Sequence, residues 1–142
     1  MHLLRNGVQS YAWGSVDDIP RFLGRQPGAD PVAEVWIGTH PINPSQVVDG
    51  DRERPLSEVS GELPFMVKIL AAQRPLSLQV HPSKAQAEIG FAREEIAGIP
   101  VDAPHRVYRD PNHKPEMVLA LSTFDSLVGF RPTAEVLRVL SP

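Results

Sequence analysis

Proline most constrains what this chain can fold into: 15 of its 142 residues are proline, about double the usual ~5%. Proline fixes φ and removes a backbone N–H donor, so it interrupts helices and is excluded from central strands. Such breaks cut the chain into short pieces and predict short strands with proline-marked turns, a sandwich or barrel rather than a helical bundle. The length suits one domain with a real core. Hydrophobic content of 42% with 22% charge argues against disorder. No stretch approaches the roughly 18 apolar residues of a membrane-spanning helix. The opening "MHLLRNGVQS" lacks the basic and apolar regions of a secretory signal. A net charge of −3 without a basic cluster argues against nucleic acid as a partner. The absence of cysteine excludes a disulfide scaffold, a thiolate metal site and a cysteine nucleophile, and fits a cytoplasmic protein.

Along the chain, Asn6-Gly7 is a hairpin-type dipeptide between short apolar stretches. Ser15, Asp17, Asp18 and Gly24 predict a short capped helix. "VAEVWIGTHP" is β-rich and stops at Gly38 and Pro41, and the following loop holds one short strand at residues 46–48. The strongest strand pair is residues 65–70, apolar except for Lys68, followed by residues 76–81. In the second, Leu76, Leu78 and Val80 alternate strictly with Ser77, Gln79 and His81. The period then changes. Ser83 with Gln86 forms a capping box, Ala85, Ile89, Ala92 and Ile96 form an apolar stripe, and Gly98 closes the helix. A loop rich in His, Asp and Pro leads to a strand at residues 116–121, and residues 124–130 contain another. "RPTAEVLRVLSP" begins a helix capped by Thr133, with Val136, Leu137 and Leu140 as its apolar face.

The alternation places Ser77, Gln79 and His81 in one polar row, and Glu116 opens a strand directly after the "NHKP" turn. Histidine and carboxylate suit a divalent metal such as zinc, so His81 and Glu116 are the first candidate ligands. On spacing alone Gln79 is a hydrogen-bonding neighbour, and a single histidine on a strand is more often a structural or surface residue than a ligand. Lys68 either sits at an exposed strand edge or points into a polar cavity where it serves proton transfer or anion binding. His113 and Lys114 bring a base and a cation beside Glu116, or form a solvated charged turn. Trp13 and Trp36 are read as core and His40 as structural.

Six motifs occur in order: "YAWGS", "AEVWIGTHP", "LPFMVKIL", "PLSLQVHPSK", "YRDPNHKPEM" and "FDSLVGFRP". Together they resemble the N-terminal part of the type I mannose-6-phosphate isomerases, zinc-dependent cupin enzymes. The resemblance implies a mainly β, incomplete cupin (jelly-roll) barrel over residues 1–131 and the start of a helical domain over 132–142. It implies Gln79, His81 and Glu116 as zinc ligands, which restores Gln79 to the ligand set. It implies Lys68, Ser77, His113 and Lys114 at the sugar-phosphate pocket, with Lys68, His113 or a metal-bound water as the base. The reaction implied interconverts mannose 6-phosphate and fructose 6-phosphate through a cis-enediol. The family's fourth zinc ligand, a histidine, and its catalytic arginine match no position in these 142 residues. The expectation is therefore a fragment inactive alone, whose partner is the missing C-terminal part; the alternative is a non-catalytic cupin that binds metal or sugar phosphate.

Overall fold

The computed structural model describes residues 1–141. They fall into two compact units, Met1–Leu78 and a second beginning at Gln79. The regular structure of the first is mainly β. Strands β1 (Leu3–Arg5), β4 (Gln46–Asp49) and β5 (Arg52–Pro55) form one antiparallel sheet in the order β1-β4-β5; β2 (Gly7–Gln9), β3 (Glu34–Ile37) and β6 (Val67–Leu70) form another in the order β2-β3-β6. The short helices α1 (Asp18–Phe22) and α2 (Ser57–Ser60) complete the unit. Among the described residues the two sheets do not close into a barrel. Ile19, Ala33, Val35, Trp36 and Val47 form its buried apolar core, with the central strands β3 and β4 contributing most.

Asn6-Gly7 does not make the expected hairpin. A two-residue type I′ turn needs positive φ at both central residues, and Gly7 is not among the positive-φ glycines. The chain instead changes sheets there, β1 pairing with β4 and β2 with β3. Fully buried Ser45 fixes that corner. Its hydroxyl donates to Asn6 Oδ1 at 2.9 Å and accepts from the Gly38 amide at 3.1 Å, while its own amide donates to Gly38 O at 2.9 Å. A hairpin forms instead between β4 and β5, where Asp49 pairs with Arg52 and the two-residue loop Gly50-Asp51 turns with Gly50 at φ 59°; β5 is unforeseen in a segment expected to be mostly loop. Asp17, not Ser15, occupies the cap position of α1; the Ser15 hydroxyl, two residues earlier, accepts from the Asp17 and Asp18 amides at 3.2 and 3.1 Å, and Gly24 follows the helix at φ 68°.

The second unit holds α3 (Lys84–Ile96) and α4 (Thr133–Leu140). The capping box forms as expected: Ser83 Oγ accepts from the Gln86 amide at 3.3 Å, and Gln86 Oε1 accepts from the Ser83 amide at 2.9 Å. The expected apolar stripe does not face inward, since Ala85, Ile89, Ala92 and Ile96 are all exposed. The buried face is Ala87, Gly90 and Glu94, because the loop after the helix packs on that side through polar contacts. Thr133 is the first residue of α4 rather than its cap; Pro132 occupies the cap position. The strands expected at residues 76–81, 116–121 and within 124–130 do not form. A strand requires a hydrogen-bonded neighbour, and no described strand pairs with these segments. Leu78, Val80, Val118, Leu127 and Val128 are consequently exposed.

Gly14 explains the glycine of "YAWGS". A Cβ built on it stands 2.5 Å from Ala33 Cα, where the backbones of residues 14–15 bridge Val32 and Ala72. Gly14→Ala is expected to destabilise the first unit by about 1–3 kcal/mol through overpacking against main chain; a denaturant midpoint equal to wild type would contradict this.

Candidate functional site

The candidate residues are distributed over both units. Lys68 and Ser77 lie in the first; Gln79, His81, His113, Lys114 and Glu116 lie in the second.

The second unit is organised along α3. Arg106, with its side chain wholly buried, folds the following loop onto the helix. Its guanidinium donates to Tyr108 O at 2.7 Å, to Glu95 Oε1 at 2.6 Å and to Ile99 O, lies 3.1 Å from Glu94 Oε2, and stacks 5.0 Å from the Phe91 ring centroid. Glu94 also accepts the amides of Val107 at 3.2 Å and Tyr108 at 2.8 Å. Gly90 leaves room for the Tyr108 ring, whose nearest atoms stand 2.5 Å from a Cβ built there. At the helix start, Lys84 Nζ donates to Pro111 O at 3.0 Å and Asn112 Oδ1 at 3.2 Å. Loop and helix are thus tied along three successive levels.

A cleft of about 430 Å³ results, lined by Gln79, His81, Tyr108, Asp110, Asn112 and Lys114 among others. His81 Nε2 lies 3.7 Å from Glu116 Oε1. Two donors about 2.0–2.2 Å from one tetrahedral zinc ion stand about 3.4 Å apart, so this pair fits a shared ion after a small side-chain shift. Among the described residues no cluster of three or more His, Cys, Asp and Glu side chains occurs. Gln79, which carries an amide oxygen, lines the same cleft as His81. Lys114 Nζ donates to Asp110 Oδ2 at 2.8 Å, while Asp110 Oδ1 accepts the Asn112 amide at 2.9 Å. Burial pushes the Asp110 carboxyl upward, but Lys114 and Asn112 outweigh it and hold it below the usual aspartate value. His113 is exposed on this loop.

In the first unit Lys68 lies on β6, an edge strand, as one of the two sequence readings has it. The side chain is not free there: Nζ lies 3.6 Å from Glu34 and 5.0 Å from the Trp36 ring centroid. Ser77 is exposed. Sequence reasoning misses Glu34, Arg106, Glu94 and Tyr108 as contributors. Of these only Glu34 carries a signal, a carboxylate inside the apolar run "VAEVWI".

The arrangement in the second unit is one able to hold a divalent cation between a histidine and a carboxylate on a β-rich chain. The family whose description matches residues 1–133 is phosphomannose isomerase type I, catalytic domain, and the chain belongs to it. The mannose-6-phosphate isomerase of Escherichia coli (strain K12) is 44% identical over 160 aligned positions, covering all of this chain and 41% of that protein. The human mannose-6-phosphate isomerase is 35% identical over 94% of this chain and 35% of its own length. A crystal structure of the Salmonella typhimurium enzyme bound to its substrate fructose 6-phosphate and to zinc aligns with a TM-score of 0.68 and 43% identity, covering 78% of this chain and 32% of that one. The chain therefore spans about two fifths of the length of the bacterial relative.

The Glu94 carboxyl gives a pH test. Burial pushes it up, but the amides of Tyr108 and Val107 and the charges of Arg106 and Arg93 together hold it below the ordinary 4.5. A group depressed in the folded state contributes stability that is complete above its unfolded value and is lost as pH falls through the folded value. The thermal midpoint is expected to drop below about pH 4.5, and Glu94→Gln to lower it at neutral pH while flattening that acid limb. An unchanged acid limb in Glu94→Gln, followed by circular dichroism, would contradict the anchoring role.

Proposed function

We propose that this chain supplies ligands and sugar-phosphate contacts of a zinc-dependent aldose–ketose isomerase that interconverts mannose 6-phosphate and fructose 6-phosphate. The observation carrying the proposal is the approach of His81 Nε2 to Glu116 Oε1 at 3.7 Å beside Gln79, in a chain of this family. Gln79, His81 and Glu116 hold the metal. Zinc supplies Lewis acidity, drawing electron density from a sugar oxygen and stabilising the charge that develops when a carbon-bound proton leaves.

The chain's own residues carry the remaining work. Interconversion moves a proton between C1 and C2 through a cis-enediol, so a base must take it from one carbon and return it to the other. His113, exposed and not committed to a charge pair among the contacts above, is the candidate for that shuttle. Lys68 is committed to Glu34 and Trp36 and serves as a fixed cation. Lys114, braced by Asp110, supplies a second positive charge from the cleft wall, and Ser77 offers a hydroxyl donor to the sugar. Residues 1–131 are taken as a partial cupin jelly roll and 132–142 as the opening of a helical domain. The strictly alternating segment at 76–81 and the apolar segment at 116–121, both unpaired among the described residues, support the first, and the exposed apolar face of α4 supports the second.

Gln79, His81 and Glu116 would hold zinc with three donors from this chain. A purified polypeptide of these 142 residues is expected to bind zinc and to show no isomerase turnover above background. Metal analysis tests the site, with His81→Ala expected to lose most of the zinc; equal zinc in both proteins removes it. Turnover of mannose 6-phosphate at ordinary enzymatic rates, measured as fructose 6-phosphate formed, would refute the expected inactivity.

A further inference from the structure

In the first unit a buried carboxylate, an indole and an ammonium meet on one face of a sheet. Glu34 and Trp36 are two residues apart on β3 and therefore point the same way, and Trp36 stands directly opposite Lys68 on β6. Glu34 is only 7% exposed. One of its oxygens, Oε2, accepts the Trp36 indole N–H at 2.6 Å and lies 3.6 Å from Lys68 Nζ. The ammonium in turn sits 5.0 Å from the centroid of the same indole. Two attractions from different directions thus fix the end of an otherwise flexible four-carbon side chain.

The indole alone explains only part of this. A hydrogen-bond acceptor for Trp36 need not be charged; a glutamine oxygen in place of the carboxylate fulfils that role equally well. A buried carboxylate is costly unless paired, and the cation paired with Glu34 is Lys68. We infer that Glu34 is a positioning residue: its carboxylate holds the Lys68 ammonium against the face of Trp36 and so sets where that cation meets a sugar phosphate. The last clause rests on the proposed isomerase reading; the hold of Glu34 on Lys68 does not.

The test reads Lys68 directly in the 142-residue chain. The probe is an amine-acylating reagent at limiting dose. The acylation rate at Lys68 is measured by peptide mass spectrometry against Lys84 and Lys114, the chain's other two lysines. Glu34→Gln, which keeps an acceptor for the indole, is expected to raise the relative rate at Lys68 at least threefold, and Glu34→Asp to restore part of the protection. Trp36→Phe, which removes the indole N–H and leaves the carboxylate, is expected to keep most of the protection. A rate in folded Glu34→Gln equal to wild type overturns the inference. So does complete loss of protection in Trp36→Phe, a result that stands even where Glu34→Gln fails to fold. Fructose 6-phosphate added to wild type separates the two readings. Further protection of Lys68 supports its sugar-phosphate role; no protection, with the Glu34→Gln effect intact, removes that role and leaves the positioning in place.

Discussion

A guanidinium with no exposure to water must have every donor satisfied, and in the second unit that requirement falls on Arg106. The groups meeting it come from both ends of a short span: Glu94 and Glu95 near the end of α3, Ile99 beyond it, and Tyr108 on the returning loop. Glu94 faces the same problem from the opposite side and solves it with two loop amides as well as the guanidinium. Removing either partner strands the other in a dry setting, which is why such pairs are costly to break even where their net contribution is small. With the loop pinned at Arg106 and again at Lys84, residues 108–114 have little freedom in where they pass the helix start. Gln79 and His81 lie immediately before that start, and the cleft they line also takes Tyr108, Asp110, Asn112 and Lys114 from the pinned loop.

The first unit meets its constraints with smaller groups. Ser45 satisfies three chain segments from a single buried position, and Gly14 allows two backbones to approach where any side chain would collide. These hold β3 between β2 and β6, and that central placement explains how a carboxylate on β3 is buried beside a lysine on the edge strand. Glu34 therefore ties the Lys68 ammonium on the edge strand to the central strand of the sheet. In both units a buried acidic residue pairs with a basic one, Glu34 with Lys68 and Glu94 with Arg106.

Much of the local structure was legible because its signals are local. The Ser83–Gln86 capping box, the glycine stops at Gly24 and Gly98 and the β character of "AEVWI" need only neighbouring residues. Pairing was not legible. The strict alternation across residues 76–81 assigns faces to side chains, yet it says nothing about which strand lies alongside, and none does among the described residues. Asn6-Gly7 misled for a related reason, since a turn dipeptide signals a hairpin only when its backbone adopts the left-handed conformations, and long-range bonds to Ser45 chose otherwise. The α3 stripe failed because periodicity presumes an apolar core, whereas this helix buries its small and acidic side against a polar loop. Lys68, Ser77, Gln79, His81, His113, Lys114 and Glu116 were all named from sequence. Of the buried charges beneath them, Glu34 stands out only as a carboxylate inside an apolar run, and Arg106 looks on paper like an ordinary surface charge.

The chemistry of the cleft depends on whether one histidine shares a metal with oxygen donors there. X-ray absorption at the zinc edge of the zinc-loaded chain counts the atoms bound to the metal directly. The expected spectrum shows a single imidazole, from His81, with the remaining donors oxygen, from Gln79, Glu116 and solvent. Two or more imidazoles, drawn from His2, His40, His105 or His113, would place the metal elsewhere and contradict the proposed centre.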